Sequence, residues 1–268
     1  MCAASRYDAL HNTAKGCPMH IQLIRNATLR LHYGGHLILI DPYLAEKHSL
    51  PSFTGESPNP TVALPCTPEE AIAGAEMVLV SHLHTDHFDA VAQNLLPKEL
   101  PLFCQPGQEE KIREKGFTNV TPVQDTVTWN GVSITRTQGH HGSGEVLELM
   151  GPVMGFVLRA PGEPTIYWAG DTIWYEPVAQ VITEVEPDII ITHSCGAVWG
   201  AEKTLIVMDD KQTVAVCAAA AQATVIAVHM EALDHSTISR EQLRTHAEEC
   251  HVRPGQLLIP ADGEKLQF

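Results

Sequence analysis

The sequence has no Cys-x-x-Cys pair, although seven cysteines occur among its 268 residues. Cys2, Cys17, Cys66, Cys104, Cys195, Cys217 and Cys250 are scattered and odd in number, which argues against a disulfide framework and against a structural zinc ribbon. Reduced thiols in a cytoplasmic protein are the expectation. No run approaches the roughly 18 apolar residues of a membrane span. The stretch from Met1 to Cys17 lacks the apolar core of a secretory signal, and residues 1–18 read as a loose N-terminal extension. Positive charge is scarce, with 17 Lys+Arg against 32 Asp+Glu and a formal net charge of −15 at pH 7. A field of that sign repels polyanions, so neither nucleic acid nor a membrane is expected as a partner. A small anionic substrate stays open, because bound divalent cations reverse the local sign. Internal repeats, low-complexity tracts and heptads are absent.

What is present is an apolar content of 44%, enough for one core or two intimately packed halves over residues 19–268. The apolar runs Leu23 to Tyr33 and His36 to Ile40 read as strands joined by a Gly34-Gly35 hairpin. Asp41 to Pro68, rich in Pro, Ser and Gly, reads as a long surface loop, either a lid or a subunit contact in a homo-oligomer. Thr67-Pro68-Glu69-Glu70 starts a helix with a capping box. Met77 to Val80 is a buried-type strand, and helices are expected over Phe88 to Leu96 and Gln108 to Lys115, the latter stopped by Gly116. Asn130-Gly131 makes a hairpin of Thr126 to Trp129 and Val132 to Thr137. Val153 to Arg159 pairs with Thr165 to Ala169. Strands at Ile189 to Thr192 and Thr224 to Val228 then alternate with helices near Lys211 and from Ser239, and Leu257 to Ile259 is the expected final strand.

Directly after the strand Met77 to Val80 stands His82-x-His84-x-Asp86-His87, three imidazoles and a carboxylate within six residues. On an extended segment His82 and His84 face one way, while Asp86 and His87 sit where the chain turns into a helix. One segment can therefore serve two metals, which in hydrolytic sites lie about 3.5–4 Å apart. A chance cluster of surface histidines is the bland alternative, and this spacing after a strand disfavours it.

On these residues the sequence resembles the metallo-β-lactamase-fold superfamily. Leu39-Ile40-Asp41-Pro42, Ala169-Gly170-Asp171-Thr172, His141-Gly142-Ser143-Gly144 and Val228-His229 extend the resemblance, in order, over about residues 20 to 260. The branch that includes L-ascorbate-6-phosphate lactonase is the most similar in flavour. The resemblance implies an α/β, four-layer αββα sandwich. It also implies a first metal on His82, His84 and His141, a second on Asp86, His87 and His229, and Asp171 bridging both together with a water or hydroxide. Of the adjacent His140 and His141, the Gly-Ser-Gly that follows favours His141, with His140 left open. Imidazole and carboxylate donors suit two divalent cations, Zn2+ first, with Mn2+ or Fe2+ as alternatives. Asp86 is the candidate proton acceptor. His193, His235 and Trp174 are candidates for substrate contact, with Tyr175 and Trp199 as further pocket walls and Trp168 as core. Cys195 reads as a structural thiol.

The function expected is hydrolysis of a small-molecule ester, lactone or phosphodiester at a dinuclear centre. Iron-dependent thiol or persulfide oxygenation, glyoxalase II-like thioester cleavage and a non-catalytic metal-binding module are the alternatives.

Overall fold

A computed structural model of the chain describes residues 19–268. The expected N-terminal extension, residues 1–18, lies outside the described residues. Three antiparallel strands come first: β1 (His20–Arg25), β2 (Thr28–Tyr33) and β3 (His36–Ile40). The run from Leu23 to Tyr33 is thus two strands rather than one. It reverses at Asn26, whose φ of 57° is a left-handed conformation that Asn tolerates through its short polar side chain. Next come α1 (Pro68–Ile72), β4 (Met77–Val80), α2 (Ala90–Leu95), β5 (Leu102–Cys104), α3 (Glu109–Arg113) and β6 (Val120–Pro122). The capping box of α1 forms as expected, with Thr67 and Glu70 satisfying each other's backbone N–H.

The second half opens with the hairpin β7 (Thr126–Trp129) and β8 (Val132–Gly139), followed by α4 (Glu145–Met150), β9 (Val153–Arg159), β10 (Ile166–Gly170), α5 (Glu176–Val185) and β11 (Ile189–His193). A short ribbon of β12 (Val198–Trp199) and β13 (Thr204–Leu205) precedes α6 (Asp210–Ala219), β14 (Thr224–Val228), α7 (Arg240–Glu249), β15 (Leu257–Leu258) and β16 (Lys265–Gln267). The strand at Leu257 is therefore not the last, because β16 returns across the molecule to pair with β1.

The strands form two seven-stranded sheets, ordered β16-β1-β2-β3-β4-β5-β6 and β15-β14-β11-β10-β9-β8-β7. The two-residue side-chain period explains the layers. Ile38 and Ile40 of β3, Met77 and Leu79 of β4, Ile189 and Ile191 of β11, and Trp168 of β10 all point into one core between the sheets. Their neighbours point outward, Leu39, Val78 and Val80 onto α1–α3, and Tyr167 and Ile190 onto α5 and α6. Strands buried on both faces read as continuous apolar runs, which is why MVLV and IIIT carry no alternation. The result is the αββα sandwich.

The segment from Asp41 to Pro68 is irregular apart from a bridge between Leu50 and Asn59, but it is not wholly superficial. Asp41, Tyr43, Leu44 and Ala45 are buried. The buried Arg25 guanidinium donates to the carbonyls of Tyr43 (3.1 Å), Ala45 (2.9 Å) and Val62 (3.1 Å). Asp234 accepts from the side chain of Ser52, from the backbone N–H of Phe53 and Thr54 (3.1 Å each) and from Asn59 (2.9 Å). These ties hold Phe53 against His235, ring centroids 5.1 Å apart. No helix among the described residues is long and apolar enough to cross a membrane.

Candidate metal centre and its cavity

The chemistry-bearing residues sit where strands end at one edge of the sandwich. Asp41 follows β3, Ser81 to His87 follow β4, His141 follows β8, Asp171 follows β10, His193 ends β11 and His229 follows β14. Several occupy backbone conformations that resist ordinary residues. Gly170 has φ 73°, and a Cβ there would meet the Met154 carbonyl oxygen at 2.8 Å, so only glycine lets the chain turn Asp171 inward. His229 is left-handed at φ 59° and Asp41 at φ 43°, local strain of the kind functional sites keep. His229 N donates across the two sheets to the Asn26 carbonyl (2.8 Å), and Asn26 Nδ2 donates within the first sheet's edge to the Asp86 carbonyl (3.0 Å).

The side chains converge on two groups. One nitrogen each of His82, His84 and His141 lie within 4.8 Å of one another, and donor atoms of His87, Asp171, His193 and His229 do the same. Asp171 stands between the groups, its Oδ2 3.5 Å from His141 Nε2, 3.8 Å from His82 Nε2 and 3.2 Å from His87 Nε2. Asp86 Oδ2 accepts from His229 Nε2 at 3.1 Å and lies 3.5 Å from His87 Nε2. His141 rather than His140 enters the cluster; the His140 ring stacks on Tyr175 at 3.9 Å.

The outward nitrogens of four imidazoles are fixed by oxygen. His87 Nδ1 pairs with Asp41 Oδ2 (2.9 Å), His82 Nδ1 with Ser81 Oγ (3.0 Å), His84 Nε2 with the Met150 carbonyl (3.1 Å) and His141 Nδ1 with the Ile206 carbonyl (2.8 Å). Such partners set the tautomer and aim the opposite nitrogen inward. The inward Nε2 atoms of His82 and His87 are buried with no hydrogen-bond partner, the 3.2 Å approach to Asp171 lacking hydrogen-bond geometry. Buried orphaned nitrogens around carboxylates are costly alone and suit a divalent cation. The residues present fit such ions.

The chain matches the family model of the beta-lactamase superfamily domain over residues 36–230. It belongs to that superfamily. UPF0173 protein YddR of Bacillus subtilis is 38% identical over 256 residues, covering 93% of this chain and 100% of the relative. More distant UPF0173 relatives are named metal-dependent hydrolases. A solved structure described as a possible metal-dependent hydrolase from Veillonella parvula superposes with a TM-score of 0.90 at 32% identity, covering 94% of this chain and 100% of that one. Another, described as an isothiocyanate hydrolase from Delia radicum gut bacteria, has a TM-score of 0.86 at 36% identity, with 93% and 99% covered. The chain is a metal-dependent hydrolase of this superfamily.

Electrostatics in the hydrolase site follow from burial and from the carboxylates. Burial, reinforced by His87, holds His82 well below the ordinary histidine value, and burial lowers His141 as well. Burial opposes protonation of His87 too, but Asp171, Asp86 and Asp41 around it raise it to about 10. Asp86 and Asp171 stay well below the carboxylate range, because His87 and His229 outweigh burial. Asp86 and Asp171 are thus ionised and His87 is protonated, and a cation binding at His87 Nε2 displaces that proton.

Over the cluster lies a cavity of about 320 Å³. Its floor is His84, Asp86, His141 and Asp171, and its walls are Phe53, Leu83, Met150, Trp199, Ile206 and His235. Among the described residues neither Lys nor Arg lines it. His235 and Trp199 both line this cavity. Trp174 and Tyr175 are not, because both pack on the outer apolar cluster beneath α5 and α6. His193 is not at the cavity either. It is fully buried with its ring edge on Trp168, and its Nδ1 is 2.5 Å from Asp171 Oδ1, so it holds that carboxylate instead of meeting substrate. Cys195 is also more than a packing thiol. It lies beside His229 and His235, and although burial pushes its thiol up, those imidazoles bring it down to about 6.

Sequence reasoning missed Asp41 as the partner of His87, His193 as the support of Asp171, and Phe53 as a wall. Asp41-Pro42 was visible as a motif, but Phe53 lies in a loop with no local signal of its role.

Proposed function

We propose that this hydrolase works with two divalent cations, zinc in first place, and cleaves a small uncharged substrate that has an electrophilic carbon and an apolar or aromatic tail. His82, His84 and His141 would hold one ion, Asp86, His87 and His229 the other, and Asp171 would span both. The grouping of His82 with His84 and His141, and of His87 with Asp171 and His229, supports this assignment, as do the orphaned inward nitrogens; Asp86 joins the second set through its 3.1 Å and 3.5 Å approaches to His229 and His87. Bound there, such a pair lowers the pKa of water and polarises the bond under attack.

The chain's own residues do the rest. Asp41, Ser81 and the carbonyls of Met150 and Ile206 fix the imidazole tautomers. His193 holds Asp171. Asp86, buried on the cavity floor, is positioned to take the proton of the attacking water. The walls exclude bulk water and take up the apolar tail.

One observation carries the substrate class: among the described residues, an apolar and aromatic wall without Lys or Arg stands over the carboxylates. A phosphodiester would find no counter-charge from the wall. An isothiocyanate, ester or lactone fits it. The relative described as an isothiocyanate hydrolase, 36% identical over nearly the full chain, puts the isothiocyanate first. The balanced reaction is R–N=C=S + H2O → R–NH2 + COS, with C–N cleavage after water adds to the central carbon. The test is amine release from allyl and phenethyl isothiocyanate, run beside ester and lactone panels. Turnover of an isothiocyanate, lost on chelation and in Asp86→Ala, is expected. No turnover of any of the three classes by metal-replete protein would overturn the proposal.

A further inference from the structure

His229 differs from its neighbours in the cluster. Its Nε2 faces Asp86 at 3.1 Å, while its Nδ1, on the far side of the ring, is buried and has no hydrogen-bond partner. His235 Nε2 is likewise buried and without a partner. These two rings are nearly parallel with centroids 6.1 Å apart, and the fully buried Cys195 lies beside both. The donor atoms of Cys195, His229 and His235 all lie within 4.8 Å of one another. The Cys195 thiol carries one proton and can satisfy at most one of these two nitrogens, whereas a cation held by all three donors would satisfy both.

We propose that Cys195, His229 Nδ1 and His235 Nε2 form a third cation site, adjoining the His/Asp pair through the shared His229, for a thiophilic ion such as Zn2+, Cd2+ or Cu+. Thiolate and imidazole donors select such ions over Mg2+, Ca2+ or Mn2+. With Zn–S about 2.3 Å and Zn–N about 2.0–2.1 Å, tetrahedral donors stand roughly 3.3–3.7 Å apart, so the observed set needs only a small contraction. Binding releases two protons to solvent, one from the Cys195 thiol and one from His229, which donates through both nitrogens only as an imidazolate; the count is the same for a divalent ion and for Cu+. His235 is also one of the cavity walls, so the site adjoins the cavity on that side. His229 would then join two ions through its two nitrogens. The third ion draws electron density from His229 and fixes His235 at the cavity, so it is inhibitory.

The test is a cadmium titration of protein already loaded with its primary cations and freed of excess metal, following the ultraviolet thiolate-to-cadmium charge-transfer band. One equivalent per chain is expected to produce the band. Cys195→Ser removes it while still taking up the primary cations, and the Cys66→Ser, Cys250→Ser double variant retains it. His235→Phe, which keeps a ring and removes the nitrogen, weakens cadmium binding by more than about tenfold, at least the loss that removal of an outer partner produces. Excess cadmium should also slow turnover of wild type more than of Cys195→Ser, each relative to its own rate. No band in wild type, or the same band in Cys195→Ser, would overturn the site. Failure of the dinuclear reading would appear separately, as missing primary uptake in every variant.

Discussion

Asp41→Asn should weaken binding of the cation near His87 without unfolding the chain. Asp41 is fully buried and accepts three hydrogen bonds, from Ser81 N (2.7 Å), Ser81 Oγ (2.6 Å) and His87 Nδ1 (2.9 Å). Its φ of 43° is left-handed, which Asn tolerates and Ala does not, so Asn is the informative replacement. The Asn carbonyl can keep the Ser81 N–H. Its amide donates where Oδ2 accepted, and Ser81 Oγ can accept from it. His87 Nδ1 then must accept as well or lose its partner. If it accepts, the ring proton moves to Nε2, the nitrogen that faces Asp86 and Asp171, and blocks the lone pair a cation needs. Loss of such a carboxylate costs about 10–100-fold in metal affinity, or about 1.4–2.7 kcal/mol. The accompanying loss of fold stability should be about 1–3 kcal/mol, one disturbed buried hydrogen bond. Competition with a chromogenic chelator at pH 7 measures the affinity, and thermal unfolding measures the stability. Wild-type affinity for every bound equivalent in Asp41→Asn would refute the assignment of His87 as a ligand aimed by Asp41.

In the cation-free chain His87 is raised to about 10 from a reference of 6.5, so its proton stabilises the fold below about pH 6.5 and that contribution is lost as pH rises toward 10. Cations compete for the same nitrogen; uptake at pH 7 should therefore release about one proton from His87 and tighten as pH rises, and calorimetry in two buffers of different ionisation enthalpy finding no release would contradict this. Trp199→Ala removes a cavity wall and should raise KM for an aryl-tailed substrate by about tenfold, from roughly 50 Å² of lost apolar contact, with kcat little changed; a fall in kcat at constant KM would place Trp199 elsewhere. Gly170→Ala forces a side chain to φ 73° against the Met154 carbonyl and should destabilise the fold by about 1–3 kcal/mol in denaturant titrations, whereas a neutral change would show that Asp171 needs no such turn.

Much of the fold was legible because the signals are local. The Asn130-Gly131 hairpin, the capping boxes at Thr67 and Ser239 and the strand Met77–Val80 formed where the residues specify them. Elements whose existence depends on tertiary contacts were not legible. Strand β6 is three residues that pair only because β5 is already there, and β16 joins β1 from the far end of the chain. The break inside Leu23–Tyr33 was hidden by Asn26-Ala27, a tight reversal without glycine. Within the site, the His82 to His87 motif announced itself by spacing. The partners Asp41, His193 and Cys195 did not, since their roles exist only once strand ends from both sheets meet. Trp174 and Trp199 show the same limit: both look like pocket walls in sequence, but Trp174, in the loop before α5, packs on the outer apolar cluster, while Trp199, on the β12–β13 ribbon, reaches the cavity.

The central claim is that one His/Asp cluster holds two cations. Crystals of the purified, metal-replete protein, measured on either side of the absorption edge of the bound metal, test it most directly. The account predicts two anomalous peaks at full occupancy, one among His82, His84 and His141 and the other among Asp86, His87 and His229, with Asp171 between them. A single peak, or peaks away from these side chains, would contradict it.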